Sequence, residues 1–279
     1  MRRKFIVLFL LCGMIMIAAR MLITAETGEL HTLLSEGHQL FQQASNTEDG
    51  ERARILYQKA LYRFERVIEE GQGNNGKLFY NIGNTYYRLG DTGRAILFYR
   101  RAELLIPADR NLKHNLLYVR SQRVDLIPSR HYSKVFRTLF IWHYSFPTRV
   151  KVFLFIAAFW GTCLLTAHAL LQPDRRKRWK STFLVVWSGI ALMMLVSLVT
   201  DEIRLHTLKD GVITTEEVVA RKGDGIAYQR SFVDPLHQGT EFKLLEERAG
   251  WYYIELSDGR TGWIPASAAE MVLPATGGG

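Results

Sequence analysis

Three stretches of the chain carry almost no charge, and between them the hydrophobic positions change from a helical to a strand period. The first apolar run extends from Phe5 to about Ile23, behind Met1-Arg2-Arg3-Lys4. A basic start followed by an apolar stretch is the pattern of an export signal. Ile23-Thr24-Ala25 offers a cleavage point, but the run is long for a cleaved signal, so residues 1–25 are read as a signal peptide or an N-terminal anchor. Cys12 follows Phe9-Leu10-Leu11, which lacks the small residues of a lipidation motif. The second and third runs, Val152 to Leu171 and Thr182 to Thr200, contain no charged residue. Each has about the 20 residues a helix needs to cross the hydrocarbon core. They predict transmembrane helices at 151–171 and 182–200. Residues 172–181 between them hold Arg175, Arg176, Lys177, Arg178 and Lys180, and short loops rich in Lys and Arg stay cytoplasmic. The expected result is a hairpin with a cytoplasmic tip and both flanking segments on the extracytoplasmic side. Lys134, Arg137, Arg149 and Lys151 on the outer flank reduce this asymmetry.

Residues 26–127 have helical periodicity. Between Gly76 and Asp109, the residues Phe79, Ile82, Gly83, Tyr86, Ala95, Tyr99, Ala102 and Pro107 fall at the signature positions of a tetratricopeptide repeat. The spacing has a physical sense. Phe79, Ile82 and Tyr86 share one helix face, Gly83 and Ala95 permit close approach, Gly90-Asp91 supplies the turn and Pro107 ends the second helix. One repeat cannot bury its own face. Leu33, Gly37 and Leu40 predict an upstream helix, with a partner carrying either Ala60, Phe64 and Val67 or Ala53, Tyr57 and Ala60, across a long polar connection at Ser45–Gly50. Leu112, Leu116 and Val119 predict a capping helix, ended by Pro128. The concave face of such an array is expected to carry Lys77, Tyr80, Asn81, Asn84, Tyr87 and Arg88. These resemble a polar clamp for peptide carboxylates; a merely solvated groove is the competing reading. Gly71 to Lys77 imitates a phosphate-binding loop, but Leu78 stands where Ser or Thr is needed, so the segment is read as a turn between repeats. Residues 128–150, with Tyr132, Phe136, Phe140, Trp142, Tyr144 and Phe146, predict an amphipathic juxtamembrane linker.

Residues 201–209 read as a short linker, and from Asp210 the period is that of short strands. Val212–Thr215, Val218–Ala220, Glu241–Leu245, Trp251–Leu256 and Gly262–Pro265 are the candidates, with a tight turn at Ser257–Arg260. The spacing over 210–274 suits a small all-β barrel, and Gly250-Trp251-Tyr252 with Asp258 to Ile264 resembles a bacterial SH3 domain. Trp251, Tyr253 and Trp263 are its candidate ligand surface, with the barrel core as the alternative for each.

The chain has 279 residues, a formal charge of +9, eight histidines and two cysteines. Two cysteines in apolar runs exclude a disulfide framework and a CxxC redox motif. His31 and His38 share a helix face two turns apart, too far for a chelate. No HExxH, nucleophile elbow or carboxylate pair stands out, so no enzyme activity, metal or cofactor is expected. No nucleic-acid-binding motif accompanies the positive charge, much of which lies beside the expected membrane spans.

The order signal, tetratricopeptide repeats, membrane hairpin, SH3 module resembles BatE-type proteins of the bacterial aerotolerance operon. Tyr80-Asn81-Ile82-Gly83-Asn84-Thr85-Tyr86-Tyr87-Arg88-Leu89-Gly90 and His114-Asn115-Leu116 carry the likeness. The resemblance implies a multi-pass protein of the bacterial inner membrane with periplasmic soluble domains. It would work beside von Willebrand A-domain membrane proteins and a MoxR-type ATPase in oxygen tolerance and envelope integrity, without catalytic residues. The expected function is a non-enzymatic scaffold; the alternative is a peptidoglycan-binding envelope anchor or sensor.

Overall fold

The computed structural model describes residues 28–72, 75–128, 146, 148–171 and 177–273. The expected signal or anchor, most of the aromatic juxtamembrane linker and residues 172–176 of the basic loop lie outside the described residues. The chain forms two compact units, Met1–Gly73 and Asn74–Gly279.

In the first unit, α1 (Gly28–Ser45) and α2 (Gly50–Val67) form a helical pair. Asp49 caps α2 by accepting hydrogen bonds from the backbone of Glu51 at 2.9 Å and Arg52 at 3.2 Å, which satisfies amides the first helical turn leaves without partners. Gly37 allows close packing, because a Cβ there would sit 2.6 Å from the Phe64 ring. Both candidate triads lie on the same continuous α2; Tyr57, Ala60, Phe64 and Val67 are buried. A π-helical turn, Ile68–Gln72, follows.

The second unit opens with α3 (Gly76–Arg88), α4 (Thr92–Leu105) and α5 (Arg110–Ser121), capped by Asn75, Asp91 and Asp109 respectively. Gly90 makes the α3–α4 turn with φ of +85°, a conformation glycine adopts without steric penalty. The two helices close on each other at Gly83, whose absent Cβ would lie 2.6 Å from Tyr99. Leu112, Leu116 and Val119 are the buried stripe of α5. This helix stops at Ser121, seven residues before the expected end at Pro128. The reason is tertiary: residues 123–128 leave the helix to follow the β region, where Ile127 packs against the hydrophobic core.

Next come α6 (Thr148–Leu171) and α7 (Lys177–Thr207), the two described helices long and apolar enough to cross a membrane. They form an antiparallel hairpin. Small residues sit on its seam: Ala158 is buried, and a Cβ at Gly161 would come within 3.3 Å of Trp187, the close approach expected between membrane helices. At the end of the hairpin away from its tip, Lys151 pairs with Asp201 at 2.6 Å. The helices exceed their apolar runs. Lys177, Arg178 and Lys180 belong to the first turns of α7 rather than to a loop, and most of the expected linker 201–209 is helical. Apolar length reports the thickness of hydrocarbon, whereas a helix continues wherever good helix formers follow. With 31 residues, α7 is about 46 Å long, against a hydrocarbon core of about 30 Å.

The β region consists of β1 (Asp210–Ile213), β2 (Glu217–Val218), β3 (Leu236–His237), β4 (Glu241–Arg248), β5 (Trp251–Leu256), β6 (Thr261–Pro265) and β7 (Ala269–Met271). Five of them form an antiparallel sheet in the order β6-β5-β4-β1-β7, and β2 pairs with β3. Alternation puts Ile254 and Leu256 of β5 inside, with Ile213, Phe242 and Ile264. The expected strands 212–215 and 218–220 are shorter than their β-prone sequence. Thr214 and Thr215 turn away to bond the Ala268 carbonyl, and Val219 begins the long loop ending at Pro235.

The helices α4 and α5 dock directly on this sheet, although the hairpin separates the two in sequence. Gly93 meets the Ile213 carbonyl, so closely that a Cβ would lie 2.7 Å from its oxygen. Arg94 pairs with Glu270 at 3.1 Å and Arg100 with Asp210 at 2.7 Å. Glu241 accepts two hydrogen bonds from Arg120, at 2.8 and 2.6 Å, and lies 3.2 Å from both Arg100 and Arg123. Arg101 donates to the carbonyls of Met271 and Val272, which covers β7, the outer strand of the sheet. Edge strands left bare are templates for unwanted pairing. Asp125 completes the contact by accepting from the His237 backbone at 2.7 Å and the Thr240 hydroxyl at 2.6 Å.

Candidate binding surfaces

The six concave-face residues proposed from sequence are all on α3, at helical spacing. The structure adds two from α5 that the sequence reading missed, Asn115 and Tyr118. Asn115 Nδ2 donates to Tyr80 Oη and to Asn84 Oδ1, both at 3.0 Å. The Tyr99 hydroxyl also donates to Asn84 Oδ1, at 2.8 Å. Tyr87 meets Tyr118 edge to face with ring centroids 5.9 Å apart. Their signal was present but weak: Asn115 and Tyr118 flank the apolar stripe Leu112, Leu116, Val119 at three-residue spacing.

These contacts define what the groove offers. Two donors hold the Asn84 oxygen, so the amide's own donor is its Nδ2. Lys77 is ion-paired with Asp109, its ammonium 5.8 Å from the Tyr80 ring centre. The hydrogen bond from Lys77, with that from the Leu112 backbone, holds the Asp109 carboxyl below the usual carboxylate range. Arg88 is exposed, and Asn81 is half-buried. The face is therefore lined by tyrosines and amides, with the exposed Arg88 at its end. Burial, the largest influence, pushes the Tyr99 hydroxyl well above its ordinary value, so it remains a donor at neutral pH. Asn84→Ala removes the acceptor for the buried Tyr99 hydroxyl and the half-buried Asn115 amide. It is expected to destabilise the chain by about 1–3 kcal/mol, measured by urea denaturation; unchanged stability would show that the Asn84 oxygen is dispensable. Loss of partner binding in that variant therefore needs to be read beside Tyr87→Ala, whose ring is held only at the surface.

Trp251, Tyr253 and Trp263 come together on the outer face of β5 and β6. Tyr253 stacks on Trp263 at 5.1 Å, and the two are direct cross-strand partners. Trp263 is buried, but outside the barrel's core cluster: its cover is Arg248, 5.4 Å from the ring centre, and Arg221, which exchanges backbone hydrogen bonds with it. Trp251 is half-buried beside Pro265. The docked helices meet β1, β7, the turn before β4 and Glu241 at its start, away from this aromatic face.

A third recess, of about 330 Å³, lies beside the docking contact and is lined by Arg100, Asp210, Glu241, Lys243, Glu255 and Ser257 among others. Its cations and carboxylates largely neutralise one another. Among the described residues, no group of three or more His, Cys, Asp or Glu side chains is placed to hold a metal ion.

Residues 235–272 match the variant SH3 domain family. The matched stretch runs from just before β3 through β7 and contains Trp251, Tyr253 and Trp263. No curated protein matches the chain. The β region is thus consistent with an SH3-like domain, which suggests a role in binding a protein or another ligand.

Proposed function

We propose that the chain is a non-enzymatic membrane scaffold. In this reading the helical region is a tetratricopeptide array that holds a partner through the α3–α5 face, with Lys77, Tyr80, Asn81, Asn84, Tyr87 and Arg88. The SH3-like barrel holds a second ligand through Trp251, Tyr253 and Trp263. Both modules stand on the extracytoplasmic side of a bacterial inner membrane. The likeness to BatE-type proteins makes von Willebrand A-domain membrane proteins the first partners to test, in an aerotolerance or envelope-stress complex.

The observation that carries this reading is the docking of α4 and α5 on the barrel. Segments in direct contact share one side of a bilayer, which requires an even number of crossings between them. The hairpin α6–α7 supplies two. The cation-rich tip at 175–180 favours the cytoplasm, which leaves the docked modules outside. Single cysteines in a background free of Cys12 and Cys163 test the arrangement. Gly50→Cys and Glu247→Cys are expected to react with an impermeant thiol reagent on intact spheroplasts, and Lys177→Cys only after lysis. Labelling of position 177 alone in intact cells would invert the orientation. Labelling of only one of the two outer positions would rule out a shared side.

A further inference from the structure

We propose that the open face of the barrel, between the loop Arg221–Arg230 and the Tyr253–Trp263 pair, binds an acidic, extended peptide segment of a partner protein. The proposal rests on the reading of this barrel as a ligand-binding module and adds the chemistry of its ligand.

The argument is one of charge left unmatched beside an apolar shelf. Where the helices dock, Arg94, Arg100, Arg120 and Arg123 each reach a carboxylate of the barrel. On the open face the pattern is different. The Arg221 guanidinium meets only the Tyr228 carbonyl, at 2.8 Å, and the Lys222 ammonium only the Gln229 side-chain oxygen, at 3.3 Å. Arg230 is exposed, and none of these three cations has a carboxylate partner among the described residues. Only Arg248 is matched, by Glu246 at 2.6 Å and Asp224 at 3.9 Å. The backbone of Arg221 bridges to Arg230 on one side and to Trp263 on the other, which sets these two arginines beside the aromatic pair.

The same loop presents exposed apolar surface. Ile226 is 80% exposed and Tyr228 52%. A peptide lying along this face would place carboxylates against Arg221, Lys222 and Arg230 and an aliphatic side chain against Ile226 and Tyr228. Charge-assisted hydrogen bonds from arginine to carboxylate are stronger than neutral ones, and the aromatic shelf supplies apolar contact at low cost in conformational entropy.

The test uses the full-length chain in phosphatidylcholine nanodiscs, whose headgroups carry no net charge. Two fluorescein-labelled nonapeptides serve as probes, one alternating glutamate with leucine and proline, the other identical but with lysine for glutamate. Fluorescence polarisation is expected to show at least tenfold tighter binding of the glutamate peptide at 50 mM salt, weakening steeply toward 500 mM. Lys222→Glu with Arg230→Glu, both at exposed positions, should lower its affinity at least tenfold while the melting temperature stays unchanged. Trp251→Ala should weaken it independently of salt. Equal or tighter binding of the lysine peptide overturns the acidic preference but leaves a ligand-binding barrel standing. An affinity unchanged by the double reversal does the same. Retention on purified sacculi with neither peptide bound overturns the peptide proposal and assigns the barrel a cell-wall ligand, whereas binding of neither peptide and no retention overturns the ligand-binding reading as well.

Discussion

Replacing Glu241 by alanine is expected to destabilise the second unit by about 3–5 kcal/mol, the range for removing one partner of a buried ion pair. Glu241 accepts hydrogen bonds from Arg120 and Arg123 and is ion-paired with Arg100, and its side chain is only 24% exposed. Its removal leaves three guanidiniums crowded together, two of which, Arg100 and Arg123, are themselves mostly covered. Urea denaturation measures the loss, and hydrogen exchange locates it: the amides of Gly239 and of β7 should exchange faster, while those of α1 and α2 should not. An apolar double replacement, Arg120→Met with Glu241→Leu, separates charge from packing and should recover part of the loss. A single alanine variant within 0.5 kcal/mol of the parent would mean that the arginines are equally well solvated without it.

The same contact gives the stability a pH dependence of defined sign. Burial alone would push the Glu241 carboxyl up; the hydrogen bonds from Arg120 and the charges of Arg100 and Arg123 outweigh it and hold the group below the usual carboxylate range. Asp125 follows the same pattern, with burial outweighed by the hydrogen bonds from Thr240 and His237. A carboxyl depressed in the folded state contributes stability that is fully present above its unfolded value, about 4, and is lost as pH falls through the folded value. Stability should therefore be insensitive to these groups near neutrality and fall below about pH 4. The fall should be shallower in Glu241→Gln.

Gly93→Leu is the second change with a large expected effect. A Cβ at Gly93 would lie 2.7 Å from the Ile213 carbonyl oxygen and 3.0 Å from the Thr214 Cα. Both are backbone atoms, so no rotamer change relieves the clash, and the helices must move off the barrel. Overpacking typically costs about 1–3 kcal/mol; here the upper end is expected, with loss of the contacts of Arg94 and Arg101 that follow on the same helix. Gly50→Ala is the control. Nothing lies within 4 Å of a Cβ there, and alanine in a helix should leave stability unchanged or raise it by about 0.5–1 kcal/mol. Equal melting curves for Gly93→Leu and the parent would show that the docked arrangement contributes nothing to stability.

Much of the local architecture could be read from the chain. Apolar spacing located the buried faces of α2 and α5, because a helix repeats its side chains every 3.6 residues whatever it packs against; on α3 it found Ile82 and Gly83 but not Leu78 and Thr85, and Phe79 and Tyr86 are only half-buried. Asn75, Asp91 and Asp109 stand immediately before helices whose first amides need acceptors. Alternation placed Trp251 and Tyr253 on one side of β5 and Ile254 and Leu256 on the other. The ends of elements were less legible: α5 stops early and α7 runs long, and both differences come from what lies beyond each hydrophobic stripe.

The amino-acid sequence by itself determined the helices, five of the seven short strands, the two apolar spans and the aromatic composition of the candidate surfaces, since each is a property of neighbours a few positions apart; β3 and β7, of two and three residues, were too short to show a period. Only the tertiary structure decided which residues meet. Arg100 and Asp210 are 110 positions apart, and Arg94 and Glu270 are 176 apart. No period connects such pairs, so the arginines of α4 and α5 resemble a solvated or membrane-facing surplus until the barrel's carboxylates are placed against them. The pairing of Asn84 with Asn115, and the exposure of the cations at Arg221, Lys222 and Arg230, depend in the same way on folded geometry. A side chain's charge is written in the sequence, but whether that charge is matched is a matter of distance.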